Sequence, residues 1–367
     1  TKQALLQNVD RALEPARLTA KIAVASFFAG DNAKQRQKYR EEFGGKLIGY
    51  EKGLVNESEI QSVVAKLTAG TKAVLPFNWE LEFPEVFERE NPGFDAIVGN
   101  PPFLGGRSIT TNYGKEYSAW LLYQHSEASG GADFVSHFFR RAFTITRKGG
   151  AFGLIATNTI AQGDTRSSGL RFICQNGGTI YNAQKRLKWP GLAAVVVSVV
   201  NIFKGDYQGV KILDNRILER ITAFLFHDGG NENPAVLLAN TNKSFQGSIT
   251  YSMGFNFDDT DDEATPIAEM EKLVTKDSRN QKRIFPYIGG SEVNSHPTHA
   301  HHRYVIYFGE MSEDEAWKYP ELMKILEQKV KPYRQTKSKE VAEWPWWKFW
   351  RTRQELYEGI AQCDRVL

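Results

Sequence analysis

Phe94-Asp95-Ala96-Ile97-Val98-Gly99-Asn100-Pro101-Pro102-Phe103 is the stretch on which the reading of this chain turns. Its first six residues form a short apolar run ending in glycine, the pattern of a buried strand in a mostly parallel sheet. Two consecutive prolines cannot continue a central strand, so Asn100-Phe103 stands at its carboxyl end. Ligands of open α/β sheets bind at that end. The Asn100 side-chain carbonyl and the Pro101 main-chain carbonyl are two hydrogen-bond acceptors on a loop that proline stiffens. Phe103 adds a flat ring beside them. Two acceptors and one ring make a receptor for a planar base bearing an exocyclic amine.

Downstream, Ala132 to Thr146 has helical spacing, with Phe134, Phe138, Ala142 and Ile145 on one face. Arg147-Lys148-Gly149-Gly150 reads as a basic, glycine-stopped helix end, and Ala151 to Ala156 as the next strand. Arg171 to Gln175 suits a short helix, and Thr179-Ile180 opens another strand. Leu192 to Phe203 is rich in β-branched residues and reads as a long buried strand. Residues 73–205 are thus expected to alternate α and β elements in an open sheet.

Residues 1–70 read as helical. Glu59 to Leu67 is an amphipathic candidate, with Ser58 and Gln61 as a capping pair and Gly70 as its stop. No glycine-rich phosphate loop appears there; Gly44-Gly45 lacks the strand–loop–helix context. Asp258 to Glu263 reads as an acidic connector. Five of the eight tryptophans fall in the last 51 residues, so that end is compositionally distinct. The expected division is a helical segment 1–70, a catalytic subdomain 71–205, a connector 206–280 and a fourth region 281–367.

The decapeptide and its surroundings resemble a known family, the adenine-N6 DNA methyltransferases with an Asn/Asp-Pro-Pro-Phe/Tyr motif. "LPFNWELEFPEVF" (75–87) is similar to the lead-in of large restriction–modification and phage-defence members. "ADFVSHFFRRAFTITRKGGAFGLIAT" (132–157) resembles their helix–Gly–strand unit, and "KWPGLAAVVVSVVNIFKG" (188–205) a later strand. The resemblance implies a partial class I, Rossmann-like methyltransferase sheet, with a helical N-terminal segment and an α+β target-recognition region at the C-terminus. It implies S-adenosylmethionine as cofactor and double-stranded DNA as substrate, with the target adenine flipped out of the duplex. Asn100 and Pro101 would accept from its N6 amine, Phe103 and Trp189 would stack on it, and Pro102 would touch the cofactor. One departure stands out. The family's glycine-rich cofactor loop is not visible before Asn100, where this order of motifs expects it. The chain also begins at Thr1 without Met and ends on an unfinished helix. A piece of a larger protein is therefore expected, binding S-adenosylmethionine weakly or not at all by itself.

Charge and composition narrow the partners. The net charge of +3 is small, but residues 96–190 hold eleven cations against four carboxylates. Such a field attracts phosphates. Lys185, Arg186 and Lys188, beside Trp189, are the expected DNA contacts there. Lys348, Arg351 and Arg353 are the candidates in the aromatic tail, where a tryptophan-rich core with a charged rim is the equal alternative. No apolar run is long enough for a membrane span. Two cysteines cannot make a disulfide framework, which makes a reducing cytoplasm the expected compartment. The cluster His296, His299, His301 and His302 lacks a cysteine pair, and methyl transfer needs no metal, so no metal is expected. Glu327-Gln328-Lys329 matches a nuclease triplet without an upstream Asp, so any nuclease would lie in a domain or subunit outside these residues.

The expected activity is adenine-N6 methylation of DNA within a restriction–modification or phage-defence system. The alternative is a truncated or decayed methyltransferase that only grips DNA. Methylation of a protein glutamine amide shares the Asn-Pro-Pro chemistry, but neither the basic segments nor the aromatic tail serves it.

Overall fold

The computed structural model describes residues 2–189, 196–235, 237–238, 243–361 and 363. Its packing separates two units, Thr1–Pro234 and Ala235–Leu367.

The first unit begins with three helices, α1 (Lys2–Phe28), α2 (Ala33–Glu51) and α3 (Glu57–Thr68). Ile22, Phe43, Ile60, Val63 and Leu67 close a small core between them. Asn56, rather than Ser58, is the residue preceding α3, and no side-chain cap is formed there. Two short helices follow, Trp79–Glu82 and Pro84–Phe87. They set Trp79, Phe83 and Phe87 edge-on around Phe94, with ring centroids 5.4–5.5 Å away. This aromatic collar fixes where β1 (Phe94–Gly99) starts.

β1 pairs in parallel with β2 (Thr146–Thr157). β3 (Gly178–Lys188), β4 (Val196–Lys204), β5 (Lys211–Leu213) and β6 (Arg216–Leu218) complete a six-stranded sheet in the order β1-β2-β4-β3-β5-β6. β4 runs antiparallel to β2 and β3, and β6 antiparallel to β5. The carboxyl ends of β1, β2, β3 and β5 therefore share one end of the sheet. Helices α4 (Gly106–Tyr113), α5 (Lys115–Gln124) and α6 (Phe134–Ile145) link β1 to β2. The main core lies between α6, the short helices of residues 163–175 and one face of the sheet. Val135, Phe139 and Phe143 meet Phe152, Leu154, Ile180, Val200 and Ile202 there.

Three expectations are corrected. β1 is an edge strand among the described residues, and Val98 is 89% exposed. A short apolar run does not distinguish a central strand from an edge strand, because only its neighbours decide burial. Residues 147–150 do not end a helix. α6 stops at Ile145 with Thr146 as its cap, and Arg147 to Gly150 already belong to β2. Gly149, at φ +78°, lies where the β1–β2 register slips by a bulge. On α6 the buried face carries Phe139 and Phe143, whereas Phe138 is 38% exposed. β4 starts at Val196; the rest of the expected strand, 192–195, lies outside the described residues.

The second unit holds a three-stranded antiparallel sheet, β7 (Asn256–Phe257), β9 (Arg303–Ile306) and β8 (Ile284–Tyr287) in that order. Helices α7 (Ile267–Lys276) and α8 (Pro320–Gln335) pack with it around Phe255, Phe257, Phe308, Leu322, Leu326 and Phe349. The acidic run 258–263 lies inside this unit. Asp258 is buried, and its carboxylate accepts from the Thr260 amide and hydroxyl.

Candidate functional site

Asn100 follows directly on β1, exposed at the carboxyl end of the sheet. Pro101 is buried, Pro102 is exposed, and Phe103 is half-buried against the main core. This ordering has a local cause. The Leu104 carbonyl accepts from the Phe134 amide at 2.8 Å, at the start of α6. Asp133 caps that helix through Val135 and is itself reached by the Thr165 hydroxyl, which accepts from the Asp133 amide. Gly106 lies so close to Gly130, Gly131 and Ala132 that a Cβ would sit 2.6–2.7 Å from their backbone atoms. The loop after the motif is thus clamped between α6 and the 130–132 segment, while the Asn100 amide stays open to solvent.

Further along the same sheet end, Asn158 follows β2. Its side-chain carbonyl accepts from the Ser198 hydroxyl at 2.8 Å and from the Arg186 amide at 3.3 Å, tying together the ends of β2, β4 and β3. A bulge between Gln184 and Leu187 puts Arg186 at φ +54°. The Lys185 amide donates to Asp214 Oδ1 at 2.8 Å, and its Nζ lies 3.6 Å from Asp214 Oδ2. Arg186 and Lys188 are exposed, and Trp189 is half-buried. Residues 190–195, including the rest of the Trp-Pro-Gly segment, lie outside the described residues. The sequence reading passed over Asn158 and Asp214, which sit in no recognisable motif.

The structure thus brings Asn100, Phe103 and the Lys185–Trp189 segment to one end of one sheet. The tail candidates belong to the second unit. There Arg334, buried inside α8, donates to the carbonyls of Thr250, Pro345 and Lys348. Burial lowers this guanidinium to about 10. Trp344 and Trp347 donate their ring N–H groups to the Phe349 and Met311 carbonyls. Lys348 Nζ is 3.1 Å from a Glu310 carboxylate oxygen, and Arg353 bonds Gln246. Arg351 is exposed. Three of the five aromatics in 344–350 (Trp346, Trp347 and Phe349) pack into the core of this unit. Among the described residues no cluster of three or more metal-ligating side chains occurs, and no helix is long and apolar enough to cross a membrane.

Residues 9–178 match the family of Eco57I restriction-modification methylases. The match spans the helical segment, the Asn-Pro-Pro-Phe loop, α6 and β2. Among solved structures, the type IIL restriction-modification enzyme MmeI in complex with DNA is similar in fold, with a TM-score of 0.55 and 18% identity. That similarity covers 79% of this chain but only 41% of the MmeI chain. A putative class I S-adenosylmethionine-dependent methyltransferase from Listeria monocytogenes aligns over 53% of this chain and 61% of its own. Its 11% identity and TM-score of 0.25 are too low to bear on the fold. Comparison with curated proteins gave no match.

Proposed function

We propose that this chain supplies the base-binding side of a DNA adenine-N6 methyltransferase. The observation that carries the reading is Asn100-Pro101-Pro102-Phe103 at the carboxyl end of β1, in a segment that matches restriction-modification methylases. Asn100 Oδ1 and the Pro101 carbonyl accept from the N6 amine of a flipped adenine. Accepting both hydrogens draws the amine nitrogen toward a pyramidal geometry and turns its lone pair outward as the nucleophile. Fixed dipoles of this kind act without reorganising during the reaction. Phe103 offers its ring to one face of the base, and Trp189 is the candidate for the other. Pro102, exposed beside them, is the candidate contact to the methyl donor.

S-adenosylmethionine is the donor that the resemblance implies, but the described residues do not form its cradle. Helices rather than a strand and glycine loop precede β1, and the sheet edge next to Asn100 is open, with Val98 facing out. This openness supports a second reading for the chain by itself, a module that grips DNA without transferring a methyl group. Transfer of tritiated methyl groups to unmethylated DNA separates the two. Asn100→Ala should lower the rate on the order of a hundredfold or more, the usual loss for one preorganised donor or acceptor. Activity that survives the substitution refutes the assignment of Asn100.

A further inference from the structure

Two adjoining hollows, about 430 and 410 Å³, share Lys185, Asp214 and Phe226 and form one open groove. Asn158 and Ser198 line one end of it, and Arg216 and His227 the other. The groove thus starts at the ends of β2 and β4 and runs out to the β5–β6 hairpin. The base-binding reading above uses none of its lining residues.

Phe226 is its centre, and the local backbone explains why an aromatic ring stands there in water. Leu225 is fully buried in the main core at φ +53°. Thr222 donates both its amide and its hydroxyl to the Phe226 carbonyl, at 2.9 and 3.2 Å. This tight loop, nailed down by Leu225, pushes the next side chain outward, and Phe226 is 54% exposed. Its neighbour Phe224 has a structural task, lying 3.9 Å under the buried Arg166 guanidinium. Phe226 has none of that kind. The His227 ring lies nearly parallel to it at 17°, with centroids 5.7 Å apart, and Lys185 Nζ stands 5.0 Å from its centroid. The hairpin turn that closes this side is built by Asp214 and Asn215, at φ +50° and +64°, and carries Arg216. Lys185, Arg186 and Arg216 therefore line the groove that holds the ring, against the single carboxylate of Asp214 among the lining residues.

We propose that this groove holds an unstacked nucleotide of the DNA strand, with its base on Phe226 and its phosphate toward Lys185 and Arg186. An exposed ring flanked by cations is the arrangement that binds single strands irrespective of sequence. A free nucleotide would need a closed pocket and amides for its phosphates; this groove is open, and the Lys185 and Arg186 amides already donate to Asp214 and Asn158. Its place also suits a strand already engaged at Asn100. β3 is three strand spacings from β1, about 14 Å, which is roughly four base rises of 3.4 Å. The inference rests on the reading of this chain as one that acts on DNA.

The test is fluorescence anisotropy of a short labelled single strand, titrated with the protein at several salt concentrations. Phe226→Ala should weaken binding about tenfold, within the range that one stacked base contributes. Phe226→Trp should restore it. Lys185→Gln should reduce the slope of log affinity against log salt by about 0.7, one phosphate contact on a single strand. Phe226 is half out of the surface, so an unchanged thermal melt is expected and should be recorded for each variant. Phe226→Ala or Phe226→Leu binding like the wild type overturns the stacking site. Deoxyadenosine monophosphate competing as tightly as the strand overturns the assignment to DNA. Phe226→Ala weakening the strand while Asn100→Ala spares methyl transfer would sink the base-binding reading and leave the groove, so the two readings fail separately. A wild-type protein that binds no strand overturns the groove, and methyl transfer to duplex DNA then decides the base-binding reading by itself.

Discussion

Replacing Gly106 by alanine perturbs the motif loop without touching any group that meets a base. The added Cβ would lie 2.6 Å from the Gly130 carbonyl oxygen, 2.7 Å from that of Ala132 and 2.7 Å from the Gly131 carbonyl carbon. Carbon–oxygen contacts of even the attractive kind sit at about 3.3–3.6 Å, so the two segments must part by roughly 0.7 Å. The 130–132 side cannot retreat cheaply. Ala132 is 1% exposed, and its amide donates to Ser129 at 3.1 Å. The next residue, Asp133, is held by Thr165 and caps α6. Forcing one methyl into such packing costs about 1–3 kcal/mol. In a unit of this size each kcal/mol lowers the melting temperature by about 2–4 °C, so the drop should be roughly 2–12 °C. Circular dichroism reads the melt. Hydrogen exchange at the Phe134 amide, bonded to Leu104, reads whether the motif loop has lifted from α6. Gly105→Ala is the control, because a Cβ there meets nothing within 4 Å. A Gly106→Ala protein melting within about 1 °C of wild type, with Phe134 equally protected, would refute the clamp.

Two further outcomes follow from buried polar groups. His125 and His137 face each other through Nδ1 atoms 2.8 Å apart, both buried. Burial first, then the neighbouring cations, pushes both imidazoles well below their ordinary value. The unfolded chain therefore binds more protons below about pH 6.5, and stability should fall with pH from there by about 1.4 kcal/mol per imidazole per unit. Urea titrations at neutral and acid pH should show a shallower dependence for His137→Gln; an identical dependence would remove the pair from the account. In the second unit, Arg334→Met strands three carbonyls that the guanidinium now satisfies. A loss of about 3 kcal/mol or more is expected in chemical denaturation, with the Trp344–Trp350 fluorescence as reporter. A loss under about 1 kcal/mol would mean that water satisfies those carbonyls instead.

Much of the first unit was legible because its elements carry local signals. The apolar run before two prolines, the α6 periodicity and the β-branched run of β4 each announce an element on their own. Burial is not local in this sense. Phe94 to Gly99 spells a strand, but whether it is central or at an edge depends on what lies beside it. Phe138 and Phe139 are adjacent letters, and only the direction from which the sheet approaches α6 decides which is covered. Gly149-Gly150 reads as a helix stop because glycine serves a helix end and a strand bulge equally well. The groove around Phe226 had no signature at all. Its parts come from residues 158, 185–186, 214–216 and 226–227, brought together by a hairpin turn and a left-handed leucine. In the tail, composition alone balanced a core against a charged rim. Arg334 is the residue that draws the tryptophan segment inward, and no pattern marks an arginine as buried.

The bare side of β1 also governs how the protein behaves as a concentrated solution. A strand edge with unsatisfied amides and carbonyls is a template for any extended chain that meets it, including another copy. Sheets guard such lines with charge, and the only charged residue on β1 is Asp95. That carboxylate is already turned back on its own unit, 2.5 Å from Arg147 and 3.0 Å from Arg89. Among the described residues, this six-residue edge is therefore a line along which copies would pair in concentrated solution, whatever the overall charge of +3.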